Sequence, residues 1–594
     1  MSDESKLPSP EELQTFIKTA EDAASEALEN GNDDAAAKLF NEILGIVPNN
    51  PVAHNGIGLI AVTNDKANIA EHHFRKAVEN APDWSDPHVN LGLLFLHGGR
   101  ARRALKMFNK ALELNPEKTG IRYFLAQAYQ KQGKKDDYEN ELRHIVTEDP
   151  SQASACNDLG ILVAQRGDYE AAIELFAQAA DAAEPVAGAR TNMGNMQLLS
   201  DDNTGAEKTF DLALKEAPNS IEALVGKAVA QRRNGDLDNA LLTAERAASL
   251  APEHAAAKNT AGTIYRELGI LDAAVSHFTE ALELSPNDPG PRSNLAMLRL
   301  LHGDWAKAWP DYEARTQVPG FTLSWGMPKL PHWDGNDLSD QSILVLSEQG
   351  FGDSIQFARF LPEIAKHAKN THFAVQPELV PLMESLDGDI KLIAPETSLP
   401  EIDVMSLLLS LPGRLGIDHP DSVSGAPYLK APSPSDKLAD TIAQLDGFKV
   451  GINWRGAPKH TEDTKRSIGL DSLSSVLGVD GVSFVSLDFS GIEDTSPENM
   501  VDVSDHISDF GDSAALVDAL DLVITVDTAT VHLAGALGKD CWAMIPFVPD
   551  WRWLLDADTT PWYDSVKLFR QPERGDWGTV IDRIKAELEA AVGS

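Results

Sequence analysis

Cysteine is nearly absent. Only Cys156 and Cys541 occur among 594 residues, one in each half, which excludes a disulfide framework and a thiolate zinc site. Long apolar runs are missing as well. No stretch approaches the roughly 18 residues a membrane span needs. The opening MSDESKLPSPEELQTFI has neither a basic nor an apolar leader region, so no secretory signal is expected and a reducing cytoplasm is the expected location. Positive charge is scarce: 51 Lys and Arg stand against 91 Asp and Glu, a formal net charge of -40. Such a field repels nucleic acid and anionic membrane. The plain reading of that acidity is solubility of a large surface.

What is abundant is repetition. Prolines stand at Pro48, Pro82, Pro116, Pro150, Pro218, Pro252 and Pro286, spaced by 34 residues or twice that, with Glu184 and Pro185 at the missing slot. Ala36, Ala70, Ala104, Ala172, Ala206, Ala240, Ala274 and Ala308 share one phase, with Tyr138 in the same register. Phe40, Phe74, Phe108, Phe176, Phe210 and Phe278 come four residues later, with Leu142, Ala244 and Tyr312 in the other units. Gly58, Gly92, Gly160, Gly194 and Gly262 mark an earlier helix. Small residues let two short amphipathic helices approach, Phe fills the gap, and Pro ends the unit. This pattern resembles the tetratricopeptide repeat. About nine units are expected over residues 17–316, after a flexible acidic arm at 1–16, coiling into a superhelix with a peptide-binding groove. Asn90, Asn192 and Asn294 share a phase and resemble part of the asparagine ladder of nucleocytoplasmic O-GlcNAc transferases. An amide can donate to and accept from an acceptor peptide's backbone; a solvated polar residue is the alternative. The last unit, GDWAKAWPDYEAR, reads as an aromatic cap packed against the next domain.

After residue 316 the period stops. A linker at 317–340 leads into short apolar runs alternating with helical patterns, an α/β signature with parallel strands. Strands are expected at 342–348, 371–376, 389–395, 448–454, 482–488 and 522–528, in two lobes spanning 341–431 and 432–594. A final helix near 577–592 is expected to cross back to the first lobe. The first lobe opens on SEQGFGDSIQF, where Gly350 and Gly352 allow a tight strand-to-helix turn. Ile355 in place of a third glycine, and Gln376 in place of an acid, argue against a dinucleotide site. No GKS or GKT occurs. In the second lobe, LDLVITVDTATVHLAGALG reads strand, turn, helix, with Thr528 capping a helix that starts near Ala529 and turns free N–H groups toward an anion.

The Gly352-Asp353 pair, Lys465 in EDTKRSIGL, and Asp527-Thr528 with His532-Leu533 together resemble GT-B glycosyltransferases related to the ADP-heptose heptosyltransferases. The resemblance implies Asp353 as general base, and Lys465, Asp527, Thr528, Ala529, Thr530 and His532 around the donor. Gly350 and Gly352 shape the turn, and Arg455 and Arg466 are further cations. Ala529 departs from the glycine usual in that family. The EQGFGD, INWRG, VDTATVHLAGALG and DWRW segments, in their order after the repeats, resemble the FlmG-like flagellin-modifying glycosyltransferases of stalked alphaproteobacteria. That implies transfer of pseudaminic acid from a CMP donor to Ser or Thr of flagellin, with no cofactor. No metal is required: DGD at 387–389 and DAD at 556–558 match a metal-binding DxD in spelling only. Two alternatives stand beside this reading. Asp353 is equally a helix-capping residue, and the alternatives for the chain are a non-catalytic adaptor or a transferase acting on glycan or lipid, with Asp353, Lys465 and His532 together favouring the enzyme.

Overall fold

The computed structural model describes residues 9–323, 325–393, 400–456, 463–488 and 500–593. Residues 1–8 of the expected arm lie outside these. The chain divides into two compact units, Met1–Asp236 and Leu237–Ser594. The division falls inside the repeat array, not where the period stops.

The first unit is all helical, from Pro10–Glu29 to Ile221–Arg233. The expected flexible arm is corrected here: helix begins at Pro10. Ser9 and Glu12 form a reciprocal capping box, with Ser9 N–H donating to Glu12 Oε2 at 2.7 Å and Glu12 N–H to Ser9 Oγ at 3.2 Å, and Pro10 suits a first helical position. The repeat chemistry is visible in the packing. Ala70, Ala104 and Ala206 are fully buried, as are Phe108 and Phe210. A Cβ built on Gly92 would come within 2.5 Å of the Phe108 ring, so that position needs glycine.

The second unit joins the last helices, Leu237–Leu250 to Trp305–Tyr312, to two sheets. Its first sheet has strands β1 (Ser342–Leu346), β2 (Asn370–Ala374), β3 (Ile390–Ile393) and β4 (Val404–Leu407) in the order β3-β2-β1-β4, all parallel. Its second has β5 (Phe448–Asn453), β6 (Val482–Ser486), β7 (Met500–Val501), β8 (Leu522–Val526), β9 (Cys541–Ile545), β10 (Thr559–Thr560) and β11 (Tyr563–Arg570). Their order is β10-β11-β9-β8-β5-β6-β7, parallel but for β10. The architecture is thus an all-α repeat array followed by an α/β region. In each sheet the chain runs outward to one side and then returns to the other. This creates a switch point between β1 and β4, and another between β5 and β8, where a crevice opens at the carboxyl ends of the strands.

An aromatic cluster ties the last repeat to this α/β region. Trp305 stacks on Trp562 with ring centroids 5.2 Å apart, and Trp309 and Tyr312 meet Trp551 edge-on. Trp309 Nε1 donates to Ile417 O at 2.7 Å. The final helix, Trp577–Val592, is a second correction. Its buried face of Val580, Ile581, Ile584 and Leu588 joins the core of the seven-stranded sheet beside Val450 and Phe484. It stays with that sheet because its apolar stripe matches the sheet's own uncovered face.

Candidate active site

Strands β1 and β8 each lead straight into a helix, Phe351–Phe357 and Ala529–Leu537, and the two helices begin against each other. A Cβ on Gly352 would lie 3.3 Å from Ala529 Cα and 2.8 Å from His532 Cδ2, so glycine is what permits the approach. Gly350, Gly352, Asp353, Thr528, Ala529, Thr530 and His532 therefore form one neighbourhood.

Asp353 sits in the first turn of its helix. Its Oδ2 accepts from Gly350 N–H at 2.9 Å, and its Oδ1 accepts from Arg552. Burial raises its pKa above the ordinary carboxylate value, opposed by the Arg552 guanidinium and the Gly350 N–H. Arg552 is the residue sequence reasoning missed. Buried, it donates from Nε to Gln356 Oε1 at 2.6 Å and from Nη1 to Asp550 Oδ1 at 2.8 Å, and it stacks over Trp551 at 4.6 Å. Gln356 is fully buried, and its Nε2 meets no acceptor among the described residues. The DWRW segment entered through a family resemblance, and nothing in it announced an arginine aimed at residue 353.

The loop carrying Arg552 is held in an unusual conformation. Leu554 has φ 53 and ψ -167, a region costing a non-glycine residue about 1–3 kcal/mol. Arg570 fixes it by donating to the carbonyls of Trp553, Leu554 at 3.1 Å and Ala557 at 2.8 Å.

On the other side, Thr528 Oγ1 accepts from Thr530 N–H at 3.3 Å, capping the helix as expected. Asn453, at the end of β5, donates from Nδ2 to Thr528 Oγ1 at 3.3 Å and to Thr530 Oγ1 at 2.9 Å. The second switch point is thus bridged by side chains of both its strands. Arg466 Nη1 donates to Asp527 O at 2.7 Å, bringing that cation to the site. Burial and the Asp550 carboxylate push Asp527 up to about 6, against the Trp553 indole and the charges of Arg466 and Arg552. His532 is neutral: burial first, then Arg552, Arg359 and Arg466, hold its pKa well below the usual imidazole value. Its Nδ1 lies 2.9 Å from the Tyr563 hydroxyl, and its ring stacks on Trp553 at 5.4 Å. It offers an anion an N–H or a ring edge, not a charge.

Two expected cations have protein partners. Arg455 pairs with Asp488. Lys465 Nζ lies 3.2 Å from Glu267 Oε2, on the repeat helix Ala255–Glu267. The three expected ladder asparagines are also engaged, each with another asparagine. Asn90 donates to Asn55 at 2.9 Å, Asn192 to Asn157 at 3.3 Å, and Asn294 to Asn259 at 3.1 Å. The second member of each pair was not singled out in the sequence, although its 102-residue recurrence is readable there.

Models of the tetratricopeptide repeat match residues 55–117, 157–221 and 225–289, and a second such model matches 95–159. The chain carries tetratricopeptide repeats. It is 26% identical over 491 residues to protein FlbA of Caulobacter vibrioides, covering 71% of this chain and 80% of that one. It is 24% identical over 275 residues to human protein O-mannosyl-transferase TMTC3, covering 45% of this chain but only 30% of that protein. The chain therefore spans under a third of the length of this human relative. Among solved structures, the Pseudomonas aeruginosa pilF protein aligns with a TM-score of 0.33 at 17% identity, over 35% of this chain and 96% of that one.

Proposed function

We propose that this tetratricopeptide-repeat protein is a GT-B-type glycosyltransferase that moves a sugar from a nucleotide-activated donor to a Ser or Thr hydroxyl of a protein. The observation that carries the reading is the start-to-start meeting of the helices after β1 and β8, with a raised-pKa carboxylate on one and a capped, anion-favouring N-terminus on the other. Distant similarity to a protein named as an O-mannosyl-transferase is consistent with transfer to protein.

In this mechanism Asp353 takes the acceptor hydroxyl's proton as its oxygen bonds to the anomeric carbon. General-base help of this kind contributes about 10²–10⁴-fold. The bond from that carbon to the donor phosphate oxygen breaks, and the charge left on the nucleotide falls toward the Ala529 helix start, with Arg466 close by. Lys465 and Arg455 would have to exchange their carboxylate partners for phosphate. The repeats present the acceptor. Resemblance to the flagellin-modifying enzymes makes CMP-pseudaminic acid and flagellin the first donor and acceptor to test, in a cytoplasmic setting.

One observation favours a second reading, a nucleotide-binding adaptor without turnover: both Asp353 oxygens already accept hydrogen bonds. The test has two stages. Thermal shift against CMP-, ADP- and UDP-sugars should show stabilisation by one class; stabilisation by none overturns both readings. Transfer with that donor should then fall about 10²–10⁴-fold in Asp353→Asn while donor binding persists. Equal rates would remove Asp353 as the base, and binding without any transfer would favour the adaptor.

A further inference from the structure

In the first unit, residues 97–112 read HGGRARRALKMFNKAL, with five Lys or Arg and no Asp or Glu, in a chain whose acids outnumber its bases 91 to 51. The fold concentrates this charge further. The turn before helix Ala101–Leu114 and the end of helix Thr119–Lys131 flank an open surface concavity of about 470 Å³, lined by Arg100, Arg102, Arg103, Lys131 and Gln132. Arg102, Arg103 and Lys131 are exposed. Arg100 and Arg75 share Glu71, and both, with Arg103, stand over the Phe95 ring at 4.6–5.9 Å. The helix start there has no side-chain cap, since Arg100 occupies the capping position. Its positive end faces the same space as the negative end of helix Thr119–Lys131, so the net attraction for an anion comes from the side-chain cations. Those exposed cations favour an anion with several oxygens.

We propose that this concavity docks an acidic stretch of a polypeptide partner, its carboxylates meeting Arg102, Arg103 and Lys131. Arginine forks suit paired carboxylate oxygens. The field of a -40 chain opposes any anion, so attraction must come from this local patch and reach no further than a short acidic segment. The surface lies at the turns inside successive repeats and is independent of the transferase reading.

The test uses the full chain and a fluorescein-labelled ten-residue polyglutamate peptide, read by anisotropy. Binding should weaken as salt rises. The Arg102→Glu/Arg103→Glu variant should bind at least about tenfold more weakly, as expected for loss of charge-assisted contacts. Lys208→Glu/Lys215→Glu changes net charge equally on a distant helix of the same unit and should bind as the parent does. Circular dichroism checks that both variants fold. No binding by the parent, equal loss in both variants, tighter binding of an oligothymidine of equal length, or a self-association abolished by Arg102→Glu/Arg103→Glu would each overturn the proposal.

Discussion

At the switch point of the four-stranded sheet a carboxylate is sealed away, whereas at that of the seven-stranded sheet two hydroxyls and a helix start are partly exposed above a buried amide. Glu348, two residues past β1, has a fully buried side chain. It accepts from Arg315 Nε at 3.0 Å, from Arg315 Nη2 at 2.8 Å and from Leu409 N–H at 2.9 Å, and Arg315 Nη2 also donates to Ser410 Oγ at 2.9 Å. Arg315 comes from the turn that closes the repeat array, so the end of the array plugs the crevice between β1 and β4. Between β5 and β8 the corresponding space is lined by Asn453, Thr528 and Thr530, whose hydrogen bonds leave the helix start accessible. The same topology thus ends in a buried ion pair in one sheet and in hydrogen-bonded hydroxyls beside a helix start in the other.

The largest expected effect comes from breaking the sealed side. Glu348→Ala strips the buried Arg315 guanidinium of its two-pronged carboxylate partner and leaves it only the partly exposed Glu313 carboxylate, Oε1 at 3.1 Å, which costs about 3 kcal/mol, the low end for breaking a buried pair. All tryptophans except Trp84 lie in Leu237–Ser594, so their fluorescence tracks this unit during urea unfolding. The apolar pair Arg315→Met/Glu348→Leu should recover most of the loss, because neither residue then leaves a stranded charge. A Glu348→Ala protein as stable as the parent would show that the crevice is not held shut by this pair.

A smaller effect, of opposite kind, is expected on the open side. The Asp527 carboxyl is pushed from 3.8 up to about 6, so the folded chain holds that proton more tightly than the unfolded one. Its contribution therefore favours the fold below about pH 4 and is lost as pH rises through about 6. Asp527→Asn should remove this slope. The difference in unfolding free energy between parent and variant, measured from pH 4 to 7, isolates it from the other carboxylates, and a difference independent of pH would contradict it.

How much of this was readable in the chain varies with how local the cause is. The repeats were legible because each unit's Pro, Ala and Phe act on neighbours a fixed distance away. Strands β1, β5 and β8 were legible as apolar runs between turn signals. Strand β4, with the sequence VMSL, and the two-residue β7 are too short to carry such a pattern, and β9 and β11 were not expected. The helix starts at 351 and 529 could be read from Gly350 and Thr528. Their meeting could not, because it depends on Gly352 lying against Ala529 across nearly 180 residues. Arg552 and Glu267 escaped for the same reason: an ion pair with Asp353 or Lys465 leaves no mark on local periodicity.

The smallest effect sharpens the comparison most. Thr528→Ala removes one helix cap and the longer of the two hydrogen bonds from Asn453, at about 1 kcal/mol of stability. Asp509 caps the neighbouring helix Phe510–Asp518, accepting from Gly511 N–H at 2.7 Å and Asp512 N–H at 3.2 Å, so Asp509→Ala should cost a similar amount. Stability alone therefore does not distinguish the two. Nucleotide affinity does: Thr528→Ala should weaken it while Asp509→Ala leaves it unchanged, and Thr528→Ser should restore it, since serine keeps the hydroxyl that orients the helix start. If both alanine variants lower affinity alike, the helix after β8 is responding as part of the fold, and the open crevice loses its claim to the donor phosphate.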